Sequence, residues 1–358
     1  MNNSADDTIV FDENGRCNYC KRAESQINKI YFPNEKGKSL LEEKLKEIKE
    51  YGKDKKYDCV MGISGGLDSS YLAYLGHKWG LRILAVHIDD GFDTEISKQN
   101  IEKLVKAANI ELRVIKPDPK QFNALTKAYF MAGVPNAAIP QDNVLFAFLY
   151  DLMRKERIKY FLTGGNFALE CILQEGNTHP ATDVVNIKDI NRKYGTEKTN
   201  KLKFLSSTRK LYDKRMLGIE TPRLLNYIDY NRDKAFAELK EFCGFEYYGS
   251  KHLENILTAF IQLYWLPKKF GVDKRTSHYS SMILSDQLTR EEALALLKNP
   301  ICDEKLMLEY ISIIKDKLNI SDEEFKEMMK SPPRQHTEFK VDKKPTLINT
   351  IIKKLKTN

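Results

Sequence analysis

The sharpest chemistry in this sequence sits in Ser64-Gly65-Gly66-Leu67-Asp68-Ser69-Ser70. Hydroxyls, adjacent glycines and one carboxylate are packed into a single short stretch. Backbone N–H groups at a helix start have no internal partners, and the helix dipole adds partial positive charge there. Such a place takes phosphate. Two neighbouring glycines let the backbone close around an anion without Cβ obstruction. The expected ligand is a nucleotide phosphate. The stretch is not a Walker P-loop, which needs G-x-x-x-x-G-K-[ST], because no Lys lies between Ser64 and Tyr71. The G-x-G-x-x-G fingerprint fails as well, since Gly65 and Gly66 are adjacent and no third Gly is in place. The plainer alternative is a Ser/Gly turn with Ser64 or Asp68 as a helix N-cap.

These residues need elements to hold them. The apolar run 57–63 precedes the loop and a helix-like run, 68–79, follows it. Further strand candidates are 82–88, 112–115 and 160–163, and helical candidates are 38–51, 95–108, 119–131 and 142–156. Alternating β and α with near-continuous apolar strands predicts a doubly wound parallel sheet covered by helices on both faces. Ligands then bind beyond the carboxyl ends of the strands. That rule selects His87-Ile88-Asp89-Asp90-Gly91-Phe92 and Thr163-Gly164-Gly165-Asn166-Phe167 beside the Ser64 loop. The Pro-bounded stretch 132–142 serves equally as a substrate loop or a connector. After about residue 176 the alternation fades. The capping box Thr289-x-x-Glu292 marks one later helix start.

The bulk numbers bound the class. With 358 residues, 42% of them hydrophobic, the chain can build two domains or one large one with extensions. No apolar run approaches a membrane span, and the N-terminus lacks a basic region followed by an apolar stretch. A secretory leader and a membrane span are not expected, and cytoplasmic residence is. The net charge of +8 is mostly interleaved with acids, as in Glu42-Glu43-Lys44-Leu45-Lys46-Glu47, and its clearest excess is the tail, with Lys340, Lys343, Lys344, Lys353, Lys354 and Lys356. Such patterning reads as solvated faces and a docking or solubility tail, so a nucleic-acid partner is not expected. Six Cys are scattered, and only Cys17 and Cys20 are close. That argues against a disulfide framework. Their spacing suits zinc, which in structural sites takes four ligands.

The pattern S-G-G-x-D-S resembles the pyrophosphate loop of the PP-loop ATP pyrophosphatases, whose sheet is of the adenine nucleotide alpha hydrolase-like type. The resemblance implies cleavage of ATP between the α and β phosphates. It implies that the Gly65–Ser70 amides, with the hydroxyls of Ser64, Ser69 and Ser70, hold the leaving pyrophosphate. Asp68 would hold Mg²⁺. The second strand end, with His87 and Asp89, would cradle the adenosine, and Gly164 and Gly165 would lie near the phosphates.

Over roughly residues 5–300 the chain is similar to the N-acetyl sugar amidotransferase branch of that superfamily. The likeness rests on three parts. They are Phe11-Asp12-Glu13-Asn14-Gly15-x-Cys17-Asn18-x-Cys20, the S-G-G-L-D-S-S loop, and K-H-x-E … Y-W-L-P-x-K-F-G-x-D-K-R with its following L-T-R-E-E-A. The branch implies conversion of an acetamido group to an acetamidino group on a nucleotide-linked N-acetyl sugar. It belongs to bacterial surface polysaccharide (lipopolysaccharide, O-antigen) or flagellar sugar synthesis. The loop lacks a Lys, so cations must come from elsewhere. Lys251, Lys274 and Arg275 lead as catalytic candidates, ahead of Lys268 and Lys269, and His252 is a weaker candidate proton shuttle. No glutaminase nucleophile is evident. The branch therefore implies ammonia from a separate glutaminase and a cyclase-like channel subunit. Relatives carry a second, earlier C-x-x-C that has no counterpart before Asn3-Ser4-Ala5-Asp6-Asp7, so a zinc site at Cys17 and Cys20 would need Cys171, Cys243 or His residues to complete it.

The expected organisation is an N-terminal Cys-containing element (1–37), the ATP-binding α/β domain (38–176), a helical substrate region (177–300) and a helical basic tail (301–358). Two rival readings remain: a tRNA-modifying thiolase or ligase of the same superfamily, and a nucleotide-binding partner without catalysis.

Overall fold

The computed structural model describes residues 1–249 and 253–343. Two helices come first, the short α1 (Asn18–Glu24) and the long α2 (Glu35–Gly52), and an alternating body follows. Its order is β1 (Cys59–Gly62), α3 (Leu67–Lys78), β2 (Ile83–Ile88), α4 (Glu95–Ala107), β3 (Glu111–Ile115), α5 (Pro119–Ala132), α6 (Ile139–Glu156) and β4 (Tyr160–Leu162). The remainder is helical: α7 (Phe167–Glu170), α8 (Val184–Tyr194), α9 (Ser207–Met216), α10 (Arg232–Cys243), α11 (Ile256–Phe260), α12 (Leu266–Phe270), α13 (Lys274–Leu284), α14 (Arg290–Leu297), α15 (Glu304–Leu318) and α16 (Asp322–Lys330). A π-helical turn, Ile261–Trp265, joins α11 to α12. No helix among the described residues is long and apolar enough to cross a membrane.

All strands are parallel, in the order β3-β2-β1-β4. Val60 pairs with Leu84 on one side and Phe161 on the other. Successive side chains of a strand point to opposite faces, and the cores follow that alternation. Cys59 and Met61 face a cluster with Ile48, Leu72 and Leu104, while Val60, Leu84 and Phe161 face another with Leu149 and Met153 of α6. β1, β2 and β4 are buried, which is why they read as continuous apolar runs. β3 is one edge and leaves Val114 exposed.

A third cluster is wholly helical and loop-borne. It joins Phe130 of α5 and Ile187 of α8 to Trp265, Ile314 and Met328. The first cluster also takes in Ile9, Cys17 and Tyr19 from the N-terminal element, Leu239 of α10 and Met282 of α13. Shared cores therefore run across residues 37/38, 176/177 and 300/301. The fold is an α/β parallel sheet with a mainly helical C-terminal region.

Candidate functional site

The sheet order reverses around β1: β2 lies on one side and β4 on the other. Crevices for ligands form at such a point, outside the carboxyl ends of the strands. A cavity of about 310 Å³ lies there, lined by the ends of β1, β2 and β4, by residues of α3, α6, α7 and α10, and by Tyr247, Tyr248, Glu254, Asn255 and Thr258.

Packing explains the glycines of its floor. Gly65 has φ +74°, and a Cβ there would lie 2.3 Å from the Ser97 carbonyl oxygen. A Cβ on Gly66 would meet Glu254 Oε1 at 2.7 Å, and one on Gly164 would meet the Ser69 backbone nitrogen at 2.7 Å. The loop is thus clamped between α4, the 254 segment and the turn after β4. Gly66 is also the N-cap of α3 and brings no capping side chain. By contrast Thr94, Asp118 and Asp273 each cap their helices (α4, α5, α13) with a side-chain oxygen. The start of α3 is left open toward the cavity, although the Leu67 N–H donates to Tyr248 Oη at 2.9 Å.

The hydroxyls divide. Ser64 and Ser69 line the cavity with their Oγ atoms 3.4 Å apart, and Ser64 Oγ accepts from the Gly66 N–H. Ser70 is fully buried, has no hydrogen-bond partner for Oγ and does not line the cavity. Gly65 likewise shapes the loop from behind the cavity wall.

Carboxylates dominate the lining: Asp68, Asp90, Asp93, Asp142, Glu170 and Glu254, against the guanidinium of Arg232. Tyr230, buried, donates its hydroxyl hydrogen to Asp68 Oδ1. Burial, and then the charge of Asp93, pushes Asp90 up to about 6, although Phe92 N–H, Gln141 and Asn255 donate to it. His87 bonds Ile63 O through Nδ1 (2.9 Å) and Asp93 Oδ2 through Nε2 (3.1 Å). Burial pulls this imidazole down, but the bond and charge of Asp93 outweigh it and leave the group raised. Arg232 stacks over Tyr247, 5.1 Å from the ring centroid, and donates to its hydroxyl.

Among the sequence-expected residues, the structure gathers Ser64, Gly66, Asp68, Ser69, His87, Gly164 and Gly165 around one cavity. Asp89 turns away: it pairs with Lys116 at 2.8 Å, and Asp90 and Asp93 take the place at the strand end. Arg275 is spent structurally on Asp273 and on the Asn299 and Pro300 carbonyls. Lys269 is spent on the Met328 and Ser331 carbonyls, and Lys268 is exposed. Lys274 lines a neighbouring cavity of about 190 Å³. Lys251 and His252 lie outside the described residues. Sequence reasoning missed Arg232, Glu170 and Tyr248 as lining residues. Glu254 was in view as the acid of the K-H-x-E pattern but carried no role.

Two metals were expected. For Mg²⁺ the donors fit: the ion commonly takes one or two carboxylates, waters and substrate phosphates, and Asp68 and Glu170 supply carboxylates on the cavity wall. Among the described residues no three His, Cys, Asp or Glu form a ready-made metal cage. That same fact leaves zinc without support. Cys17 and Cys20 stand with sulfurs 3.2 Å apart, and two ligands fall short of a structural zinc set. The hydrogen bond between the two thiols lowers Cys17 to about 6 and raises Cys20.

Residues 254–356 match the family described as LPS biosynthesis protein WbpG-like, C-terminal domain. A stretch of 87 residues is 36% identical to the glutamine-hydrolyzing GMP synthase of Thermus thermophilus, covering 24% of this chain and 17% of the synthase. A stretch of 123 residues is 28% identical to the tRNA-specific 2-thiouridylase MnmA 2 of Fusobacterium nucleatum, covering 31% of this chain and 34% of the thiouridylase. Among solved structures, the NH3-dependent NAD synthetase of Campylobacter jejuni aligns over 58% of this chain and 93% of its own, at 16% identity and a TM-score of 0.31. The U34-tRNA thiolase NcsA of Methanococcus maripaludis aligns over 75% and 91%, at 14% identity and a TM-score of 0.33. The chain thus spans only 17% of the length of the synthase and 34% of that of the thiouridylase that it matches. The sequence matches and the strand–loop–helix geometry at Ser64–Ser70 support the PP-loop ATP pyrophosphatase superfamily.

Proposed function

We propose that the chain is an ATP-dependent amidotransferase that turns the acetamido group of a nucleotide-linked N-acetyl sugar into an acetamidino group. The observation that carries this reading is the uncapped start of α3 on the Ser64–Ser70 loop, opening into the cavity at the sheet's switch point. The WbpG-like match over 254–356 supports the surface-polysaccharide context.

The chemistry needs two steps. The acetamido oxygen attacks the α phosphorus of ATP, the bond from that phosphorus to the bridging oxygen breaks, and pyrophosphate leaves. Ammonia then adds to the imidate carbon and loses a proton, and AMP departs with the former amide oxygen. An unactivated amide has a poor oxygen leaving group, and adenylation supplies a good one. The open α3 amides and the Ser64 and Ser69 hydroxyls suit charge that builds on the departing pyrophosphate. Mg²⁺ held through Asp68 and Glu170 would neutralise phosphate charge. An acidic cavity of this kind repels bare ATP, so the nucleotide enters as its magnesium complex. Ring-faced walls from Phe146 and Phe161 suit the adenine. Holding both substrates removes the bimolecular cost of their encounter.

Ammonia is assigned to separate glutaminase and cyclase-like subunits. The purified chain, given ATP, Mg²⁺, ammonium and a panel of nucleotide-linked acetamido sugars, is expected to release AMP and pyrophosphate. The product is a sugar in which NH has replaced oxygen, and glutamine does not replace ammonium. Release of ADP and orthophosphate would falsify the reading. RNA-dependent AMP release would favour the tRNA-modifying alternative, and ATP binding without turnover would favour a non-catalytic partner.

A further inference from the structure

The second cavity shares Leu169 and Glu170 with the first. Its other walls come from Gln262 and Leu263 on the π-helical turn and from the first turns of α13. π-Helical turns are rare and are frequent at functional sites.

Charge in this cavity is unevenly matched. Asp273 and Arg275 satisfy each other and the helix start. Asp6, whose charge acts on Lys274, is already engaged by Thr8 and the Gly176 N–H. Among the described residues Lys274 has no hydrogen bond or salt bridge, although burial around it is deep enough to disfavour its charge. One turn on along the same helix face, Ser277 lines the same cavity with a buried hydroxyl that also has no partner. A cation and a donor that go unsatisfied side by side in a cavity are costly unless something fills them.

We infer that the second cavity binds an anionic group of the acceptor, with Lys274 as its counter-ion and Ser277 as a hydrogen-bond donor. The acceptor's reacting end would then lie at the Leu169–Glu170 wall, where the two cavities meet. This rests on the proposed function for the identity of the reaction, not for the anion site itself. It moves Lys274 from the departing pyrophosphate, where the sequence pattern had put it, to the other substrate. The anion is either a carboxylate on the sugar ring or the diphosphate of the carrier.

The test measures binding by calorimetry on the full chain with a non-hydrolysable ATP analogue present. The probes are UDP-N-acetylglucosamine, its 6-carboxylate (uronic acid) counterpart and free UDP, against wild type, Lys274→Met and Ser277→Ala. Lys274→Met is expected to weaken acceptor binding roughly 30-fold or more, the scale for stripping one partner from a buried charge pair. Ser277→Ala is expected to weaken it by a few-fold, in line with one lost hydrogen bond. Affinity for the ATP analogue stays unchanged in both. If the ring carboxylate is the anion, only the uronic acid probe loses affinity in Lys274→Met. If the diphosphate is the anion, all three probes lose it together. The inference is overturned if no probe binds wild type, if Lys274→Met binds all probes normally, or if it weakens ATP instead. Lys274-dependent binding without AMP release would leave this inference standing and remove the amidotransferase reading. AMP release with an acceptor KM indifferent to Lys274→Met would do the reverse.

Discussion

The two cavities meet at one wall and differ in almost everything else. The first is crowded with six carboxylates around a single described guanidinium, Arg232. The second holds, besides the shared Glu170, one carboxylate–guanidinium pair already satisfied and an ammonium with no hydrogen bond or salt bridge among the described residues. Like charges gathered in a crevice call for a ligand that brings cations with it, and an unanswered cation calls for an anion. The contrast teaches that net charge of the whole chain, +8, says little about its sites. Each site states its own requirement through which groups have been left unpaired.

The strongest way to break the contrast is Asp68→Asn. Tyr230 can still donate to the amide oxygen, so the fold is expected to hold. AMP release should fall about 100-fold or more, the scale for losing a group aimed at developing charge, and half-saturation should need more Mg²⁺. Acceptor binding in the second cavity should not change. A loss of only a few-fold in turnover, or an equal loss of acceptor affinity, would show that the cavities are not distinct in role.

A pH series sharpens the contrast. Asp90 in the folded protein titrates at about 6, above its ordinary 3.8. The folded chain therefore binds this proton more readily than the unfolded chain, and the ionised group costs stability above pH 6. His87 is also raised, so its contribution is present at low pH and lost as pH rises through its folded value. Both make the ligand-free first cavity favour acid. Between pH 4 and pH 8, the stability of Asp90→Asn relative to wild type is expected to shift in the variant's favour by about 2–3 kcal/mol. Urea unfolding across that range measures it. A flat difference would mean that Asp90 is not the strained carboxylate of the set.

The smallest effect separates neighbours. Ser69→Ala should cut AMP release by several-fold, because its hydroxyl lines the first cavity. Ser70→Ala should leave turnover nearly unchanged and stability equal or slightly higher, since it removes a buried hydroxyl without a partner. Equal losses from both would return Ser70 to the phosphate grip.

Legibility followed the range of the interaction. Expected strands 57–63, 82–88, 112–115 and 160–163 became Cys59–Gly62, Ile83–Ile88, Glu111–Ile115 and Tyr160–Leu162, and local apolar runs suffice to mark the buried ones, β1, β2 and β4. The loop itself was readable for the same reason. What escaped depended on direction or distance. Ser69 and Ser70 differ by about 100° around a helix, and that turn sends one to the cavity and the other to the core. Lys274 and Arg275 are separated in the same way, and Asp273 claims only the second. Arg232 and Tyr248 come from the polar stretch 177–250, which has no periodic pattern. Arg232 reaches Asp68's neighbourhood through the packing of α10 against α3, and Tyr248 accepts from the Leu67 N–H at the start of α3.

The missing side chain at Gly66 has a consequence for durability. Helices α4, α5 and α13 are finished by side chains of their own sequence, whereas α3 must borrow its last fitting from whatever occupies the crevice. The nucleotide is then a structural component as well as a reagent. A preparation kept replete with it should outlast a depleted one on the shelf and in the calorimeter, by a margin that grows with the logarithm of its concentration.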